Sequence, residues 1–146
     1  MTTDQEFAGM SKPSTWHPID PPRPLNTWER QMIDLLLSQP KACMDEVPGS
    51  AMVRRQLHSA RVDEACSCCL SIGIVVDHAP ANQMPGGPSG FYTDLGGDDV
   101  DGMSMWAILF TKDGYLVELE VQRADGTPFR LEPDPRLFYD GMSENS

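Results

Sequence analysis

The stretch 103–122, MSMWAILFTKDGYLVELEVQ, constrains this chain more than any other. Two apolar runs flank Lys112, Asp113 and Gly114. Asp-Gly between such runs marks a tight turn, because glycine adopts positive φ without a steric penalty. Both arms carry β-branched and aromatic residues, which suit a half-buried pleated surface. The expected element is a central antiparallel hairpin. Strict alternation places Glu118 and Glu120 on one face of its second arm with Leu116 and Gln122, opposite Tyr115, Val117, Leu119 and Val121.

Two helices are expected upstream. Asn26 and Glu29 have the spacing of a capping box, in which each side chain satisfies an orphan amide of the other. Trp28, Met32, Leu35 and Leu36 then recur at helical spacing, and Pro40 ends the run. A second helix is predicted over 50–60, with Ser50 as a cap and Met52, Val53, Gln56, Leu57 and Ala60 inward. Strands are predicted over 61–66, 70–77 and 91–95, with 137–139 tucking back on the core. Residues 1–24 carry Pro13, Pro18, Pro21, Pro22 and Pro24 and read as a Pro-rich flexible tail, with Trp16 docked on the domain surface. Residues 140–146 read as a disordered C-terminus. The resulting expectation for 25–139 is a single α+β domain: two N-terminal helices packed on one antiparallel sheet of four to five strands.

Charge and cysteine usage bound the function. The formal charge of -11 argues against a nucleic-acid binder, which needs a basic footprint, and permits a basic protein partner. The N-terminal stretch is polar and the longest apolar runs are far too short for a bilayer, so a cytoplasmic location and no membrane are expected. In that reducing setting the four cysteines, Cys43, Cys66, Cys68 and Cys69, read as thiols. The sequence is silent on oligomeric state.

Three constellations carry chemistry. Cys66, Cys68 and Cys69 offer soft ligands to zinc, with His58 or His78 as a fourth. Against that, a fully extended backbone points Cys69 away from the other two, and buried cysteine also serves as a small hydrophobe. Cys66 and Cys69 also fit a redox C-x-x-C pair, without the helix N-terminus that lowers a thiol pKa. Asp94, Asp98, Asp99 and Asp101 form an acidic glycine-rich loop. It fails the EF-hand register, since Gly102 at position six puts Gly97 at one and Ile108 at twelve. Glu118 and Glu120 share a face but have no histidine in the adjoining arm to work with as acid and base. No nucleophile elbow, Walker loop or dinucleotide fingerprint occurs.

The order of segments resembles a family of small uncharacterised bacterial proteins. LNTWERQMIDLLLSQ, the Cys-Ser-Cys-Cys run before LSIGIVVD, and ILFTKDGYLVELEVQRADG carry the resemblance. It spans about residues 25 to 138. Members show a W-E-R helix start, a C-G-C-G-C-type cluster before a strand and a D-G-x-L-x-x-L-E-V hairpin. This chain has Ser67 where a glycine is usual and Cys69 in place of the second. The resemblance implies an order of elements and no activity.

Together these features make a non-enzymatic acidic binding protein the leading expectation. Its concrete form is an immunity-like or inhibitor-like protein that blocks a basic partner such as a toxin domain, through Asp98, Asp99, Asp101, Glu118 and Glu120. That reading needs no cofactor. The alternative is a zinc-binding or redox module centred on Cys66, Cys68 and Cys69.

Overall fold

In a computed structural model, which describes residues 15–38 and 47–139, one antiparallel sheet organises the chain. In chain order the elements are β1 (Trp16–Pro24), α1 (Thr27–Ser38), α2 (Ser50–Gln56), β2 (Arg61–Cys66), β3 (Ile72–Val75), β4 (Gly90–Asp98), β5 (Ser104–Lys112), β6 (Tyr115–Arg123) and β7 (Phe138–Tyr139). Their order across the sheet is β1-β2-β3-β6-β5-β4-β7. The expected hairpin is β5 and β6, in the middle, with Asp113 and Gly114 both at positive φ in its turn.

The expected sheet of four to five strands under two helices is corrected by this arrangement. Seven strands dominate, and the helices are short, 12 and 7 residues. The two additional strands are the sheet's edges. β1 lies inside the stretch expected to be a flexible tail. Proline lacks the donor that a central strand needs, but an edge strand has only one neighbour to satisfy. β1 pairs with β2 at both ends, Trp16 opposite Cys66 and Arg23 opposite Val62, and its register shifts between Pro18 and Arg23. Arg23 then locks the strand to α1, forking both guanidinium nitrogens onto Glu29 at 2.9 and 2.8 Å. At the opposite edge, β7 adds two residues beside Gly96 and Gly97. A side chain at Gly97 would collide with the Leu137 carbonyl, so glycine is what admits this strand. Pro13, Pro40, Cys43 and the C-terminal residues 140–146 lie outside the described residues.

Helix α1 begins as its sequence dictates. Glu29 N–H donates to Asn26 Oδ1 at 2.8 Å and Asn26 N–H donates to Glu29 Oε1 at 2.9 Å. Trp28, Met32, Ile33, Leu36 and Leu37 are buried against Leu95, Met105, Ala107 and Leu109 of the sheet. The Trp28 indole donates to the Pro133 carbonyl at 2.8 Å, which holds the C-terminal stretch over this helix. Helix α2 is capped by the backbone of Gly49, at φ 79, and not by a Ser50 side chain.

Gln56, the last residue of α2, is fully buried. Its amide accepts from the Leu116 N–H at 2.8 Å and donates to the carbonyls of Gly114, at 2.9 Å, and Asn82, at 2.7 Å. Beside it β6 bulges: Thr111 pairs with Leu116 and Phe110 with Glu118, leaving Val117 unpaired. The bulge corrects the expected alternation. Leu116 turns inward with Leu119 and Val121, while Glu118, Glu120 and Gln122 stay on the outer face.

Replacing Gln56 by leucine keeps the volume, strands the buried Leu116 N–H, leaves the Gly114 carbonyl with the Met84 N–H alone and removes the bond to the Asn82 carbonyl. The expected result is a loss of about 2–4 kcal/mol in urea unfolding. A loss below about 1 kcal/mol would show that the amide does not hold the turn to the helix.

Candidate functional site

Cys66 ends β2, and its N–H donates to the Ser71 carbonyl at 3.0 Å, closing residues 67–70 into a turn before β3. The turn is pinned on two sides. Ser67 N–H donates to the Thr15 carbonyl at 3.0 Å, and Leu70 N–H donates to the Val121 carbonyl at 3.2 Å. This curvature defeats the extended-chain expectation that Cys69 points away. The sulfurs of Cys66, Cys68 and Cys69 all lie within 4.8 Å of one another, and Cys66 and Cys68 are 3.3 Å apart. Three thiolates bonded to a tetrahedral zinc at the usual length lie about 3.8 Å apart, so the trio needs only small adjustment.

An outer ring of hydrogen bonds orients these sulfurs. The Cys68 N–H donates to Cys66 Sγ at 3.4 Å, and Thr15 Oγ1 lies 3.4 Å from the same sulfur. Cys69 donates its thiol to Ser71 Oγ at 3.1 Å, and the Val121 N–H donates to that oxygen at 2.9 Å. Ser71 is buried, so its hydroxyl is held between β6 and the turn. Burial pushes the Cys66 thiol up, but hydrogen bonds with Thr15, Cys69 and Cys68 outweigh it and bring the thiol down to about 7. Burial pushes Cys69 up to about 12, against the opposing hydrogen bond to Ser71. Hydrogen bonding therefore favours the thiolate at Cys66, and burial favours the thiol at Cys69.

The three cysteines line a cleft of about 350 Å³ together with Glu118, Glu120, Gln122 and Arg123. The sheet order causes this meeting: β3 pairs with β6, Gly73 opposite Glu118, so a turn at residues 67–70 lies beside a strand some fifty residues later. The Trp106 indole donates to Glu120 Oε2 at 2.9 Å and fixes that carboxylate. Thr15 and Trp16, at the start of β1, form the rim. The sequence pattern gave no reason to place Thr15, Ser71, Gln122 or Arg123 at a site. Trp16, expected to dock on the domain surface, lines the cleft.

Asp98, Asp99 and Asp101 lie elsewhere, around the turn between β4 and β5. The buried Arg123 donates to Asp99 and forks onto Asp101, with Nη2 2.8 Å from Oδ2. Tyr139 Oη is 3.5 Å from Asp98 Oδ2. Asp99 and Asp101 are thus paired through Arg123, while Asp98 and Asp101 stay exposed. His58 sits in the 3₁₀ turn after α2, and His78 stacks on Tyr115 at 4.2 Å; neither joins the cysteine cluster. No helix among the described residues is long and apolar enough to cross a membrane. No protein-family model, curated protein or solved structure matches the chain.

The Arg123 hydrogen bonds hold the Asp101 carboxyl down to about 2. A depressed carboxyl stabilises the fold above its unfolded value of about 3.9, and that contribution fades as pH falls through the folded value. Carbon-detected NMR should place the Asp101 midpoint near 2 in the native chain. In Arg123→Met it should move up toward about 3.9; an unmoved midpoint would rule out the pairing as its cause.

Proposed function

We propose that this protein is a thiolate metal-binding module that holds one zinc-class ion through Cys66, Cys68 and Cys69. The convergence of three sulfurs within 4.8 Å carries this reading. Soft thiolates select zinc and similar ions over the hard cations that carboxylates and carbonyls hold. Two features of the surroundings support it. The Cys68 N–H and the Thr15 and Ser71 hydroxyls are outer-shell partners of the kind that fix ligand orientation. The carboxylates of Glu118 and Glu120, in the same cleft, raise the local concentration of a divalent cation.

The reading as an immunity-like or inhibitor-like protein that blocks a basic partner draws less support. It relied on five acidic residues acting together. Asp99 and Asp101 share the single cation of Arg123, and the two glutamates line a cleft with the thiols.

Native mass spectrometry of protein purified without chelator tests the proposal. One zinc per chain is expected, removed by acid or chelator. Cys66→Ser, Cys68→Ser and Cys69→Ser should each weaken zinc binding by more than the roughly 10–100-fold that loss of an outer-shell partner costs, and Ser71→Ala should fall within that range. Metal-free protein that takes up no zinc at micromolar concentration would refute the module.

A further inference from the structure

The C-x-x-C spacing pairs Cys66 with Cys69, but the turn after β2 brings Cys66 against Cys68. The Cys68 N–H donates to Cys66 Sγ at 3.4 Å, and the two sulfurs lie 3.3 Å apart. A sulfur–sulfur bond needs them to approach by only about 1 Å more. The other pairings within the trio are less favourable. Cys68 and Cys69 are adjacent, and Cα atoms across a trans peptide are about 3.8 Å apart, short of the roughly 4.4–6.8 Å that disulfides span. Cys69 gives its thiol to Ser71 Oγ at 3.1 Å, and the Val121 N–H holds that oxygen at 2.9 Å. To reach Cys66, Cys69 has to abandon this hydrogen bond.

The backbone holds the Cys66 and Cys68 sulfurs together by itself. Three hydrogen bonds fix the turn: Cys66 N–H to the Ser71 carbonyl, Ser67 N–H to the Thr15 carbonyl and Leu70 N–H to the Val121 carbonyl. Cys68 is half-buried and lines the cleft of about 350 Å³ with Cys66, which gives a small oxidant a route to the pair.

We infer that Cys66 and Cys68 form an oxidative modification site, at which hydrogen peroxide converts the two thiols to a disulfide. One sulfur attacks the O–O bond and keeps one oxygen as a sulfenic acid, while the other oxygen leaves as water. The second sulfur then displaces the sulfenic hydroxyl, which takes up the second thiol proton and leaves as water. The two thiols lose two electrons and two protons, and one peroxide becomes two waters. The pairing requires no ion. Its consequence for the proposed module rests on the metal reading above: the disulfide withdraws two of three ligands and sets the ion free.

Peroxide treatment of metal-free and of zinc-loaded protein tests this, with disulfides mapped by mass spectrometry and released zinc captured by a coloured chelator. The metal-free chain should become lighter by two hydrogens, with Cys66 joined to Cys68 and Cys69 still open to alkylation. A thiol reductant should reverse the change. In the zinc-loaded chain, zinc release should rise in step with the same disulfide. Cys69→Ser should form the disulfide to the same extent, and Cys66→Ser should form none within the cluster. A bond from Cys66 to Cys69 or Cys43, bonds between chains, or sulfonic acid without a disulfide would overturn the pairing while leaving a metal module standing. Zinc retained through complete disulfide formation would overturn the release. A chain that forms the Cys66–Cys68 bond and takes up no zinc would support the modification site and remove the metal module.

Discussion

The fold turns on a side-chain amide. Gln56 reaches from the end of α2 into the central hairpin and satisfies the backbone of its turn, at Gly114, and of its second arm, at Leu116. A buried donor or acceptor left unpaired costs about 1–3 kcal/mol, so three satisfied partners at one point specify how helix and hairpin meet. The adjacent bulge follows from this anchoring: with Leu116 tied to Gln56, one extra residue is accommodated at Val117 before the ladder resumes at Glu118. That single residue decides which side chains face the core and which face the cleft. Without it, Glu118 and Glu120 would share a face with Leu116.

From the hairpin the sheet grows outward in both directions, and each side has a different task. On one side β4 and β7 close the core over α1, with Trp28 clamping the C-terminal stretch. On the other, β3 brings the Cys66–Ser71 turn against β6, and the proline-bearing edge strand brings Thr15 and Trp16 to the rim. The candidate metal site is therefore assembled from three separate stretches of chain. The ion itself need not organise the core, because Leu, Ile and Met side chains of the helices and inner sheet face fill it. The proposed ion would thus join a fold already closed, unlike small domains that fold only around their ion.

Local signals were legible in the sequence and long-range ones were not. The Asn26–Glu29 capping box, the helical stripe from Trp28 to Leu37 and the Asp113-Gly114 turn depend on neighbours a few residues apart, and each appears as its pattern predicts. The β1 strand was missed because proline argues against a strand, and the exception for edges needs knowledge of the sheet. The bulge at Val117 was missed because alternation carries no mark of a single extra residue. The cysteine trio was visible as residues, but the turn that folds Cys69 back toward Cys66 depends on hydrogen bonds donated to the carbonyls of Thr15 and Val121, distant in sequence. For the same reason the pairing of Asp99 and Asp101 with Arg123, over twenty residues on, left no mark in the acidic loop's own sequence.

The central proposal is that the three thiolates of Cys66, Cys68 and Cys69 hold one ion. Zinc-edge X-ray absorption on the zinc-loaded protein measures that directly. The account predicts about three sulfur neighbours near 2.3 Å and one nitrogen or oxygen near 2.0–2.1 Å. Four sulfur neighbours would contradict it by drawing in a sulfur from outside the trio, and a shell of nitrogen and oxygen alone would place the metal away from the cysteines.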